Sequence, residues 1–225
     1  LLKISGFKAI FALKILIKQS DMDEILQQVR ADLRRSMNGI ASKSMREKGL
    51  HYKLNFGVDV PRLRELSKRY LIDAQLAELL WGQETRELKI LATMLYPVHE
   101  FDMDKADKWV KEIPNHEIRE QASMNLFQKL DFADKLVQKW TDSLDEEIRT
   151  SGYWLFARLL IVKSELVNQI NQKEIMEKMI SDLSTGSYFL RLSAQRALIF
   201  LGRTAESFSK KIMEGIQNFQ TSDDA

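Results

Sequence analysis

A chain of 225 residues, 44% apolar and 29% charged, is long enough to bury a real core and too apolar to be a disordered segment. It has no cysteine, which excludes disulfides and thiolate metal sites. Its 3 histidines (His51, His99 and His116) lie far apart and near no acid cluster, so neither a metal nor a cofactor is expected. The net charge of +2 hides an asymmetry: residues 1–70 hold 15 Lys or Arg against 7 Asp or Glu, and the remainder holds 19 against 25. Either the N-terminal part meets an anion, with nucleic acid the first candidate, or it carries an ordinary solvated basic face.

With only 3 prolines and 9 glycines among many Leu, Lys, Glu, Gln and Met, the composition reads as all-α. Residues 1–20 set Lys3, Lys8, Lys14 and Lys18 among apolar residues with no acid. Charge interrupts this run too often for a membrane span, and it lacks the small-residue cleavage site of a signal peptide. It reads as an upstream extension with Met22 the natural start, or as a basic amphipathic helix lying on a membrane. A domain over 21–219 follows, then a polar tail over 220–225.

Asp21 or Asp23 caps a helix through Ile25, Val29 and Leu33 toward Met37. Gly57 permits a turn, Asp59 caps the next helix and Pro61 takes its first turn. Leu63, Leu66 and Tyr70 then point inward, with Arg62, Arg64, Lys68 and Arg69 outward. Helices are expected over 73–81, 85–95, 104–113, 115–129, 132–143, 146–162, 172–183, 188–202 and 205–219, with Pro97 and Pro114 at boundaries.

The stretch Glu146 to Leu159 opens on two acids, places Arg149 one turn in and offers Gly152 and Ala157 for close helix contact. Similar phrases surround Arg86, Arg119 and Arg191. Successive arginines lie 33, 30 and 42 residues apart, a spacing that predicts a solenoid of helix pairs. Two readings of Arg119, Arg149 and Arg191 stand side by side. They follow a phosphate backbone, or they pair with acids of neighbouring repeats as an internal ladder. Lys43, Arg46, Lys48, Lys53, Arg62, Arg64, Lys68 and Arg69 form a dense basic group suited to phosphate contacts or to solubility. Trp81, Trp109, Trp140, Tyr153 and Trp154 read first as core filling. No phosphate-cradling Gly-rich loop, Ser-His-Asp arrangement or HExxH pattern is present.

Phe56-Gly57-Val58-Asp59-Val60-Pro61-Arg62-Leu63-Arg64-Glu65-Leu66, followed by Leu79-Leu80-Trp81 and Arg86 to Ala92, resembles the DNA alkylation repair family of AlkD-like HEAT-repeat proteins. Lys139-Trp140 followed by Ile148-Arg149 adds to the resemblance, which spans roughly Met22 to Phe219. It implies a right-handed α-α superhelix of HEAT-like repeats whose concave basic face cradles duplex DNA. Enzymatic members release cationic alkylated purines such as 3-methyladenine and 7-methylguanine, using two tryptophans, an aspartate and arginines. The carboxylate stabilises an oxocarbenium-like sugar, and the aromatics meet the cationic base.

Carried over by position, one family arginine falls on Arg149. The family's Trp-Asp-x-x-Asp segment falls on Asn115 to Gln121, which has no tryptophan and only Glu117 or Glu120 for the acid. The second site, a Trp followed three residues later by Arg, falls on Arg196 and Ile199. The expectation is therefore a protein that binds duplex DNA, with N-glycosylase activity toward alkylated purines weak or lost. Glu117 and Glu120 are the candidate acids, and Arg149, Arg119, Arg191, Arg196, Lys43, Arg46, Lys48 and Arg62 the DNA contacts. The alternative is a non-catalytic HEAT-repeat scaffold for a protein partner. A cytoplasmic monomer is expected.

Overall fold

The computed structural model describes residues 22–184 and 186–222, so the expectations for residues 1–20 and for the last three residues lie outside the described residues. Helices and connecting turns make up the described chain, joined by one isolated bridge between Leu54 and Thr85. No helix among the described residues is long and apolar enough to cross a membrane. Contacts divide the chain into two units, one up to Pro97 and one from Val98.

The first unit begins with α1 (residues 22–35), which buries Leu26, Val29 and Leu33 at helical spacing and leaves Ile25 half-buried. Next come α2 (Gly39–Glu47), capped by Asn38, and α3 (Val60–Ser67), where Asp59 accepts from the Arg62 amide at 2.7 Å and Pro61 sits in the first turn. The unit ends with α4 (Ala74–Trp81), capped by Asp73, and α5 (Arg86–Leu95).

Its least regular segment, Phe56-Gly57-Val58, is held by a carboxylate. Glu87, fully buried, accepts from the amides of Phe56 at 3.0 Å and Val58 at 3.2 Å. Arg86, equally buried, donates to the Val58 carbonyl at 2.7 Å and to Glu87 at 3.0 Å. α5 thus answers the Phe56 and Val58 amides and the Val58 carbonyl, while the Gly57 amide donates to Asn55 Oδ1 at 2.7 Å and the Phe56 carbonyl accepts from the Asn38 amide at 2.9 Å. Gly57 has φ +71°, and a Cβ there would stand 2.1 Å from the Asn38 carbonyl oxygen. Only glycine fits both the torsion and the space.

The second unit runs α6 (Met103–Lys111), α7 (His116–Asn125), α8 (Ala133–Thr141), α9 (Glu146–Ile161), α10 (Gln172–Asp182), α11 (Tyr188–Gly202) and α12 (Glu206–Ser222). The helix expected over 115–129 breaks at Leu126 (φ −126°, ψ −66°), and a 3₁₀ turn, Phe127–Lys129, follows. Leu126 and Phe127, on either side of the change in backbone path, are both fully buried. α12 continues through Ser222, so the first three residues of the expected tail are helical.

α9 is the unit's axis. It packs on α7, α8 and α11, and its residues from Thr150 to Ala157 are all buried. At Gly152 the approach to α8 is so close that a Cβ would stand 2.8 Å from the Thr141 amide nitrogen. Trp109 and Trp140 fill the core as expected: Trp109 meets Phe101 edge-on at 5.1 Å, and Trp140 meets Phe127 at 5.2 Å.

Candidate nucleic-acid interface

Arg119, Arg149 and Arg191 stand at the fourth position of α7, α9 and α11, as the spacing predicts. Their side chains, however, do different things. Arg119 is 1% exposed. Its Nε donates to Ser151 Oγ at 3.0 Å and its Nη2 to the Glu147 carboxylate, which ties α7 to α9. Burial holds its pKa below the ordinary guanidinium value, against the pull of Glu147. Arg119, expected as a DNA contact, is thus a packing residue, because its guanidinium is enclosed and engaged.

Arg149 donates from Nε to Asp182 at 2.8 Å and from Nη1 to the Ser143 carbonyl at 2.8 Å, which ties α9 to α10. It too belongs to the inter-helix ladder. Arg191 is exposed and donates to the Gly186 carbonyl at 2.8 Å, leaving most of its fork toward water. The two acids that open α9 are structural as well: Glu147 holds Arg119, and Glu146 accepts from the Ser187 amide at 2.9 Å ahead of α11.

Arg196 lies elsewhere on α11. It is exposed, and its guanidinium carbon sits 4.7 Å from the centroid of the Trp154 ring of α9. One turn beyond Trp154, Arg158 donates from Nε to Gln128 Oε1 at 3.1 Å. Nearer the helix starts, the His116 ring of α7 stacks on Phe189 of α11 at 4.5 Å and 18°, although α9 packs between these helices. Tyr188 meets Phe189 edge-on at 5.2 Å. Trp154 is thus covered by Arg196, and His116 and Phe189 each turn one face to the other, while Tyr188 is 64% exposed. Glu117 and Glu120 sit half-buried on α7.

Of the N-terminal candidates, Lys43 lies 3.8 Å from Glu47, Arg46 donates to Ser42 Oγ at 3.1 Å, and Lys48 caps the end of α2. Arg62 donates from α3 to Ser36 Oγ at 3.3 Å. All four are exposed. They belong to the first unit, whereas Arg119, Arg149, Arg191 and Arg196 belong to the second. Among the described residues no group of three or more His, Cys, Asp or Glu is placed to hold a metal ion.

Sequence reasoning missed Arg158. Its available signal is local: neither Arg158 nor Arg196 has an acid three or four residues away on its helix, so neither has a ready partner.

The family model for the DNA alkylation repair enzyme matches residues 29–207, well over half of the chain. The chain belongs to the DNA alkylation repair enzyme family. No curated protein matches it. A solved structure from a family related to the HEAT-like repeat DNA glycosylases, with affinity for branched DNA structures, is similar to it at a TM-score of 0.71 and 14% identity. That match covers 84% of this chain and 80% of the other. At that identity the likeness speaks for the fold, an all-α solenoid of HEAT-like helix pairs, and the family phrases around Gly57 and Arg149 now have structural roles in it.

Proposed function

We propose that this family member binds duplex DNA through cationic side chains and excises alkylated bases weakly or not at all. The observation that carries the reading is the Trp154 ring of α9, buried beneath the Arg196 guanidinium. A cationic purine needs an open ring face, yet Trp154 is 3% exposed beneath Arg196. Arginine takes the place of an aromatic at 196, which favours a phosphate over a positively charged base. Arg191 and Arg196 on one unit, and Lys43, Arg46, Lys48 and Arg62 on the other, supply exposed cations for backbone contacts.

The test is duplex binding at two salt concentrations, with and without 7-methylguanine, while released base is measured. Affinity should fall roughly tenfold or more between about 50 and about 200 mM salt, without detectable base release. Release that disappears in Glu117→Gln or Glu120→Gln would restore catalysis to this site. Salt-insensitive or absent binding would overturn the DNA reading.

An apolar groove of about 350 Å³ lined by Leu198, Ile199, Ile212 and Met213 favours a second reading, a scaffold for a protein partner. Ile199 and Met213 are each about half exposed there (48% and 55%). Binding of DNA unchanged by Met213→Asp would separate the two uses.

A further inference from the structure

The buried and half-buried arginines of the second unit follow a rule. Arg119 faces Glu147 and Arg149 faces Asp182. Arg158 breaks it. It is half-buried, and its only protein partner among the described residues is the neutral Gln128 amide. Burial first, and then the like charge of Arg196, hold the pKa of Arg158 below the ordinary value.

Two guanidinium groups on neighbouring helices with no carboxylate between them destabilise the folded chain when nothing is bound, and an anion relieves both at once. Arg196 is held against Trp154 at 4.7 Å, so its fork is largely ordered before any ligand arrives. The Trp154 indole Nε1–H is itself buried without a hydrogen-bond partner, an uncommon and unfavourable condition for a donor.

We propose that Arg158, Arg196, Gln128 and Trp154 form a site for one phosphate group, recognised as a compact anion by two guanidinium forks beside an unanswered indole N–H. Arg158 contributes its Nη groups, its Nε being engaged by Gln128. Gln128, fixed in turn by a hydrogen bond to the Met124 carbonyl, holds Arg158 in position. Arginine suits this task because its planar fork presents paired donors to phosphate oxygens. Two sources share this chemistry, a phosphodiester of a nucleic-acid strand and free inorganic phosphate. The inference rests on the DNA reading only for the first.

The experiment follows the Trp154 indole N–H of the full chain by nitrogen-15 NMR, assigned with Trp154→Phe. Inorganic phosphate and a short duplex are titrated separately, and duplex binding is measured in parallel by anisotropy. A saturable indole shift is expected with at least one of the two, weakened about tenfold or more in Arg158→Gln and in Arg196→Gln. Arg158→Lys, which keeps the charge but not the fork, should fall between.

A shift with the duplex alone assigns the site to nucleic acid. A shift with phosphate in a chain that fails to bind duplex keeps the site and removes the DNA reading. Duplex binding with an unmoved indole and unchanged affinity in both glutamine variants removes the site and keeps the DNA reading. An indole unmoved by either ligand, or moved equally in the glutamine variants, overturns the proposal.

Discussion

Arg149 and Tyr153 share one carboxylate: Asp182 Oδ2 accepts from Arg149 Nε at 2.8 Å and from the Tyr153 hydroxyl at 2.7 Å. Asp182→Ala removes both partners at once and leaves a guanidinium 18% exposed. Its expected cost is about 3 kcal/mol, the usual result of stranding one half of a sheltered pair. Urea denaturation checks this, with Asp182→Asn as the milder variant. A loss below about 1 kcal/mol, the scale of an exposed pair, would mean that the bridge does not form in solution.

The Arg119–Glu147 pair is lopsided, with side-chain exposures of 1% and 63%. Glu147→Gln therefore leaves a buried cation behind and should destabilise by about 2 kcal/mol, more than removal of a surface pair. Arg119→Met together with Glu147→Gln should recover most of that loss, since the desolvated charge goes too. A double-mutant cycle in urea decides it: additive losses would contradict the pairing.

Gly152→Ala should destabilise even though alanine is the better helix former. The propensity gain is about 1 kcal/mol, but the added carbon meets the Thr141 amide nitrogen at 2.8 Å, a backbone atom that moves only if α8 moves. A net loss of about 1–2 kcal/mol is expected from such overpacking. A midpoint that rises instead would show that α8 and α9 have room to part.

Alkaline pH should weaken the fold through two tyrosines. Burial first, then the Asp182 carboxylate, pushes the Tyr153 phenol well above its ordinary value of 10.0, and burial and Asp32 do the same to Tyr70. A pKa raised on folding gives stability that is complete below the unfolded value and lost as pH climbs past it toward the folded one. Phenolate absorbance should therefore show these two tyrosines resisting ionisation above pH 10.0 until the chain unfolds. Early titration in Tyr153→Phe of the same number of groups as in the unchanged chain would fit, whereas loss of one early-titrating group would not.

Helix boundaries were largely legible because capping residues announce them: Asp59, Asp73, Asn115 and Asp145 each accept an amide of the following turn. The recurring phrase correctly placed Arg119, Arg149 and Arg191 in the first turns of α7, α9 and α11. What it could not carry is the destination of each guanidinium. Arg119 meets Glu147 across 28 positions and Arg149 meets Asp182 across 33, distances at which sequence offers no pairing rule. The break at Leu126 was illegible too, since no proline or glycine between Asn115 and Lys129 marks it. Arg158 was overlooked for the opposite reason: its distinction is a missing acid, and absences stand out only against a mapped surface.

The ladder has a thermodynamic consequence for how the second unit comes apart. In a stack of weakly linked repeats, each pair melts at its own point and terminal repeats fray first. Here α7 is bolted to α9 by Arg119 and Glu147, α9 to α10 by Arg149, Tyr153 and Asp182, and α9 to the approach of α11 by Glu146. Loss of α7, α9 or α10 strands a charge on its partner helix, which raises the energy of these half-melted states. These links sharpen the melting of α7 through α11 toward a single step, so that the cations on its surface keep their spacing until the whole segment yields.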